Sequence, residues 1–347
     1  MDIGNAIIDL CSAAGPSGFE DGVAEKVRAL LSPLVDEVYS DALGNIIGVK
    51  RSGKENAARL LFDAHIDEIG FIVTGYEEGF LRFGCLGGID PRMMPACGVM
   101  LMTEPPMYGV IDTMPPHVLK EGESDEAIKA DELFIDAGLT QEEAEKRIPL
   151  GTPAVYARGA KRFGENLICG KTMDDRACFS CLLRAAELLK DESLNVDLYI
   201  MASTQEEVGL RGAKAGAFGI APDYAVAVDV GHASTPDCKT WETKKLGGGV
   251  VIGRGPNMNR AFTDKIIACA EKNGIKYQIG VEPDGDSGTN TMVIQTTREG
   301  AATALFSLPL KYMHTPVEVI SLDDAEGVAR LLAEIARAMP EGGHFNA

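Results

Sequence analysis

The sequence predicts an α/β protein in which a mainly parallel, mixed sheet is covered by helices on both faces and interrupted by a small β-rich insertion. Three features carry this. Apolar runs short enough to be buried strands alternate with helical periodicity over residues 1–70 and 160–347. Between 71 and 159 the alternation gives way to short apolar runs punctuated by Gly and Pro, the pattern of a compact β domain. The runs of the outer segments end in histidines and carboxylates, where open α/β sheets place their sites.

Taken in order, residues 2–13 read as an amphipathic helix, with Ile3, Ile7, Ile8 and Leu10 mostly on one face, stopped by Gly15-Pro16-Ser17-Gly18. A second helix, about 20–31, carries Val23, Val27, Leu30 and Leu31. Two strands, 37–41 and 45–50, are joined through Ala42–Gly44. Leu60, Leu61 and Phe62 then form the core of a strand that ends at His65-Ile66-Asp67. In the insertion the one helical pattern is about 140–147. The acidic stretch 121–132 reads as a solvated loop, and His117 sits in a Pro-rich turn with no assigned role.

After Gly159 a turn carrying Asp174 and Asp175 leads into a helix of about 175–190, whose apolar face includes Cys178, Leu182, Leu183, Ala186 and Leu189. A strand over 196–203 runs into Glu206-Glu207. A helix near 211–218, a strand over 223–232 containing Asp229, a strand over 248–253 and a helix over 260–273 follow. The remainder reads as a strand over 276–281, a helix near 290–299, a strand and loop over 302–319 carrying His314, and an amphipathic helix over 322–338. The tail, with His344, reads as frayed.

Composition narrows the function. A net charge of −19 argues against nucleic acid or anionic membrane as partners. No apolar run approaches the ~20 residues that span a bilayer. The N-terminus lacks a basic leader, so the expected location is cytoplasmic. Of the eight cysteines only Cys178 and Cys181 form a C-x-x-C, and no second pair completes a zinc cage. Buried free thiols are the expectation.

Each strand end has an ordinary explanation taken alone. His65 or His314 can be a satisfied surface histidine, Asp174 or Asp175 a helix N-cap, Asp229 a turn residue, and Glu206-Glu207 a solvated turn. All five clusters at the same edge point instead to one metal centre. Histidine nitrogen with carboxylate oxygen, and no thiolate, suits Zn²⁺, Co²⁺ or Mn²⁺. Two ions about 3.5–4 Å apart need a bridging carboxylate and a bridging water. The charges balance, because two divalent ions bring +4 while three carboxylates and a hydroxide bring −4. His65, Asp174 and Asp229 can hold one ion, and His314, Glu207 and Asp174 the other. Asp67 is then placed to orient the His65 imidazole. Glu206 is the acid left over, suited to take a proton from the bridging water and pass it to a leaving amine.

The segments AHIDEIGFIV, KTMDDR, TQEEVGLRGA, VDV and YMHTPVEV resemble the signature segments of the M42 metallo-aminopeptidases, which include the tetrahedral aminopeptidases and proteins once labelled endoglucanases. PSGFE at 16–20, DALGN at 41–45 and PPH at 115–117 are also similar to family segments, so the resemblance spans nearly the whole chain. It implies His65, Asp174, Glu207, Asp229 and His314 as ligands of two ions, with Asp174 bridging through a cis Asp174–Asp175 peptide. It implies Glu206 as the base and Asp67 behind His65. It further implies a peptidase domain (1–70 and 160–347), an inserted dimerisation domain (71–159), and dodecamers built from dimers. One departure is Asn290 in Gly288-Thr289-Asn290, where relatives often carry Asp on what reads as the substrate side.

The expected function is therefore a two-metal aminopeptidase acting on short peptides, with neutral or basic first residues preferred. Two other functions compete with it. A glycosidase would use Glu206 and Glu207 as paired acids, but sequence neighbours at a strand end point apart, and such acids must flank one bond at ~5–9.5 Å. An inactive oligomeric scaffold would be expected to have lost Glu206 or a ligand.

Overall fold

The computed structural model describes residues 1–114, 128–236, 238–239, 241–283 and 287–341. The readings of His117, of the acidic stretch up to 127 and of His344 lie outside the described residues. The chain opens with helices Ile3–Cys11 (α1) and Asp21–Leu31 (α2), then strands Glu37–Ser40 (β1), Ile46–Lys50 (β2) and Arg59–His65 (β3). Next come Gly70–Glu77 (β4), Phe80–Leu86 (β5), Gly98–Leu101 (β6), Met107–Asp112 (β7), Phe134–Asp136 (β8), helix Gln141–Arg147 (α3) and Pro153–Tyr156 (β9). The chain continues with Lys161–Phe163 (β10), Leu167–Gly170 (β11), Met173–Leu189 (α4), Asp197–Ser203 (β12), Arg211–Ile220 (α5) and Tyr224–His232 (β13). It ends with Val250–Arg254 (β14), Arg260–Lys272 (α6), Tyr277–Val281 (β15), Thr291–Gln295 (α7), Ala302–Lys311 (β16), Glu318–Ser321 (β17) and Leu322–Ala338 (α8).

The large sheet has the order β1-β2-β12-β3-β13-β16-β17-β11-β10, with β14 on β16 and β15 on β14. Its four central strands, β12, β3, β13 and β16, run parallel. These are the strands with near-continuous burial, as strands covered on both faces require. Around them the pairing turns antiparallel: β1 with β2 and β2 with β12 on one side, and β16 with β17, β17 with β11 and β11 with β10 on the other. Parallel pairing thus holds at the centre and between β14 and β15, and the sheet is mixed rather than mainly parallel. Strands β10, β11 and β17, three or four residues each, were not expected from the sequence, and β10 is exposed throughout. The expected helix near 290–299 also shortens to Thr291–Gln295, because the chain turns out at Arg298 (φ 47°) and Gly300 (φ 99°).

Helices α1, α2, α4, α6 and α8 bury their apolar stripes against one sheet face, around Phe62, Phe179 and Phe306. Helices α5 and α7 cover the other face over Leu61, Met201 and Ala227. Strands β4-β5-β8-β7-β6-β9 close a separate barrel with its own core, in which Phe71 meets Phe83 and Tyr156 edge to face.

Candidate active site

Register brings the site together. Ser203 of β12 lies opposite His65 of β3, so the turn bearing Glu206 and Glu207 leaves the sheet beside His65. Ala227 of β13 lies opposite Asp63, which places Asp229 and His65 level, two residues further along. Asp174 and Asp175 enter from the start of α4, where both have non-helical backbone and the peptide between them is cis. His314 comes from the turn after β16, with φ of 60°.

The structure gathers all seven expected residues. Asp174 stands between the histidines: its Oδ1 is 3.1 Å from His65 Nε2 and its Oδ2 is 3.1 Å from His314 Nε2. Glu207 Oε1 lies 3.2 Å from His314 Nε2, and Glu206 Oε2 lies 3.9 Å from His65 Nε2. Ligand atoms of His65, Asp174 and Glu207 fall within 4.8 Å of one another, as do those of His65, Asp175 and Asp229. Asp175 is thus closer to the cluster than a loop support would be. It is fully buried, its Oδ2 accepts the His65 backbone N–H at 3.3 Å, and its Oδ1 has no partner among the described residues.

Asp67 does more than back His65. Its Oδ1 is 3.3 Å from His65 Nδ1 and accepts the Glu206 N–H at 3.0 Å, while its Oδ2 accepts from the Glu207 N–H and from Ser17 Oγ at 3.2 and 2.6 Å. One buried carboxylate therefore fixes both the histidine and the acidic turn. Several further supports have no signal in the sequence. Buried Glu318 accepts the His314 N–H through Oε1 at 2.8 Å and the Asp174 N–H through Oε2 at 3.3 Å. Glu68 accepts from Lys171 Nζ at 2.5 Å, Thr172 Oγ1 at 2.8 Å and Arg176 Nη2 at 3.3 Å. Arg176 is wholly buried and also donates to the carbonyls of Leu10, Ala13, Gly15 and Ile66. A charge buried this completely needs every donor matched. Here it pins the Asp174 turn to the loop that carries Ser17. Only the tertiary structure reveals this, because a helical arginine or an acid after an HxD reads as surface in one dimension.

The donor set, histidine nitrogens with carboxylate oxygens and no thiolate, is of a kind that can hold divalent metal. His314 Nδ1 faces the Gly88 carbonyl at 2.6 Å, so that nitrogen carries the hydrogen, and in the neutral ring Nε2 then turns a lone pair toward two carboxylate oxygens. His65 repeats the pattern, with Nδ1 3.2 Å from the Asp67 carbonyl and Nε2 toward Asp174. Lone pair against carboxylate is repulsive unless the ring protonates or a cation lies between. Burial, with repulsion from neighbouring carboxylates, pushes Glu206 up to about 9 and Asp229 up to about 8, and raises Glu207 as well. Against its burial, hydrogen bonds from His314 and His65 hold Asp174 below the usual carboxylate range. Those bonds in turn lift His314, against its own burial, to about 11. Held by protein alone, the cluster must take up protons; positive charge from ions removes that need.

The site opens into a cavity of about 790 Å³, bordered by Asp174, Glu206, Glu207 and His314 at one end and by Trp241, Glu242, Lys244 and Glu282 elsewhere. Asn290 is not on that wall. It is buried and donates to Asp63 Oδ2 at 2.8 Å and Ser203 Oγ at 3.0 Å. The expected substrate-side position is corrected: a carboxylate here would meet Asp63 inside the protein, and the amide supplies a donor instead.

Comparison with known proteins gives the family. The model of the family described as M42 glutamyl aminopeptidase matches residues 44–331. A lysyl aminopeptidase of Pyrococcus furiosus is 35% identical over 93% of each chain. An aminopeptidase from the archaeon Desulfurococcus kamchatkensis superposes with a TM-score of 0.89 at 35% identity, covering 96% of this chain and 94% of that one. The TET1 peptidase of Pyrococcus horikoshii, described as able to assemble into a tetrahedron or a large octahedral shell, gives a TM-score of 0.86 at 32% identity, over 97% of this chain and 99% of its own. A match this long, at these identities, settles the lineage: the chain belongs to the M42 peptidase family and is an aminopeptidase, a hydrolase of peptide bonds.

Proposed function

We propose that the chain is a two-metal enzyme that removes N-terminal residues from short peptides, with Glu206 as its acid–base group. The observation that carries the reading is Asp174, whose two oxygens each stand 3.1 Å from a different histidine Nε2. His65, Asp229 and Asp174 would hold one ion, and His314, Glu207 and Asp174 the other, with Zn²⁺ or Co²⁺ favoured and Mn²⁺ acceptable. When bound, the ions polarise the scissile carbonyl and make water acidic enough to attack at neutral pH. Glu206 lies beside the cluster rather than between the histidines, and its burial favours holding a proton. It takes the proton from the attacking water and returns it to the leaving amine. Asp67, which anchors the backbone of Glu206 and Glu207, keeps the two acids aimed apart. Glu207 faces His314, so it is not free to pair with Glu206 across one bond as a glycosidase's second acid would.

The cavity is large enough for a short peptide. Glu242 and Glu282 outweigh Lys244 on its wall, and the chain carries a net −19, so neutral or basic first residues are preferred over acidic ones. The lysyl aminopeptidase at 35% identity supports that direction. Residues 71–159 are assigned as an inserted domain that carries a subunit contact, and 1–70 with 160–347 as the peptidase domain. Assembly from dimers into a dodecamer is the expected state, in keeping with a solved relative, 32% identical, described as a dodecamer. Eight free thiols fit a reducing cytoplasm. Metal analysis combined with a panel of aminoacyl-anilides, with β-glucan as control, tests the reading. Two ions per chain and cleavage of leucyl- or lysyl-anilide are expected. Absence of bound metal, glucan hydrolysis, or faster cleavage of glutamyl-anilide would each count against it. Deleting 71–159 behind a short linker should reduce the solution mass to that of a monomer.

A further inference from the structure

We infer that the β barrel is part of the metal centre: the turn Gly87-Gly88, just after β5, positions His314 and Glu207 and so sets the affinity of the ion on their side. The inference rests on the two-metal reading. His65, Asp174, Asp229 and the groups that hold them all come from the large sheet and its helices. His314 differs. Its Nδ1 lies 2.6 Å from the carbonyl oxygen of Gly88, on the barrel. That acceptor fixes the hydrogen on Nδ1 and leaves Nε2 free to face Asp174 and Glu207. A ring held only by its backbone, on a turn with φ of 60°, could rotate away.

Gly87 completes the arrangement from the other side. Its φ is 84°, and a Cβ there would lie 2.8 Å from Ile69 Cγ2, 3.2 Å from Glu207 Oε2 and 3.3 Å from Glu207 Cβ. The missing side chain is the space in which the Glu207 carboxylate lies. A Cβ on Gly88 would sit 3.5 Å from His314 Nδ1, an ordinary contact, so the turn is in van der Waals reach of both side chains. The barrel thus supplies a backbone acceptor to one proposed ligand and a recess for the next. A shift of the barrel against the sheet by a fraction of a hydrogen-bond length would loosen one ion and spare the other.

The test is Co²⁺ titration of the full-length protein by calorimetry, with metal-to-protein ratios after dialysis and far-UV circular dichroism as a fold check. Wild type should bind two ions; fewer than two would overturn the two-metal reading itself, before any variant is made. Gly87→Ala should bind one ion as wild type does and the other at least ~10-fold more weakly, the scale of a lost supporting contact. Adding His314→Ala to Gly87→Ala should cost no further ion, because both act on the same side. Gly138→Ala is the control: it imposes the same kind of left-handed strain (φ 67°) in the barrel region, with nothing within 4 Å of the added Cβ, and should keep both ions. Unchanged affinities in Gly87→Ala, equal loss of both ions, or the same loss in Gly138→Ala would each overturn the inference. Should Gly87→Ala fail to fold, Ile69→Ala/Gly87→Ala removes the 2.8 Å contact, keeps those against Glu207, and is read in the same way.

Discussion

The two histidines of the site are held in opposite ways. His65 is 1% exposed, ends a central strand, and is braced by Asp67 and by the Asp175 carboxylate at its backbone. The His314 side chain is 30% exposed and sits on a turn, with its ring hydrogen-bonded to a glycine carbonyl of the barrel. One half is made where the sheet core is made; the other depends on two separately packed bodies meeting correctly. Packing fixes the first without regard to the barrel, whereas the second reports on how the barrel sits.

The largest effect should come from the residue that serves both halves without holding either. Glu206→Gln keeps shape and a hydrogen-bonding tip but cannot accept a proton at neutral pH. Turnover should fall about 10²–10⁴-fold, or about 3–5 kcal/mol of transition-state stabilisation, while two ions stay bound. Loss of metal in this variant would show that Glu206 is a ligand and that the roles of the neighbours are exchanged. Glu207→Gln comes next and should touch only the His314 half: one ion binds weakly, the other stays, and added metal restores part of the activity. Equal weakening of both ions would break the comparison.

Asp67→Asn should lower affinity for the His65-side ion by about 10–100-fold, the usual cost of disturbing a ligand's hydrogen-bonded support, read by titration with Co²⁺. Because Asp67 also accepts the N–H groups of Glu206 and Glu207, turnover should drop further than metal loss explains. Glu318→Gln should have a smaller effect, since an amide oxygen still accepts one of the two backbone N–H groups, of His314 and of Asp174, that the carboxylate now accepts. The smallest effect concerns substrate charge. Relative to leucyl-anilide, glutamyl-anilide should be cleaved more slowly at low salt, with the gap narrowing as ionic strength rises. A salt-independent ratio would remove long-range repulsion as its source.

The central sheet was legible because β3, β12, β13 and β16 are buried on both faces and therefore read as unbroken apolar runs ending in a histidine or an acid. That His65, Glu206, Glu207, Asp229 and His314 would lie near one another was legible for the same reason, because strand ends in such sheets share one edge, whereas Asp174 reaches it from the start of α4. What stayed hidden depends on direction rather than residue type. Glu318 and Glu68 are acids whose value lies in which N–H groups they meet, and these lie 144 and 103 positions away for Asp174 and Lys171. Arg176 looks like any polar residue on a helix until its guanidinium is found serving four carbonyls. Asn290 shows the converse, since a substitution visible in the sequence says nothing about which way the side chain points.

Trp241 borders the cavity, is 74% exposed, and is the single tryptophan among 347 residues. Excitation at its absorption edge therefore lights one indole, on the border of the cavity. Its emission serves as a built-in optical gauge of cavity filling. A slow or inert peptide, such as one presented to Glu206→Gln, can be followed by the colour and intensity of that one ring, with no dye attached and no bond broken.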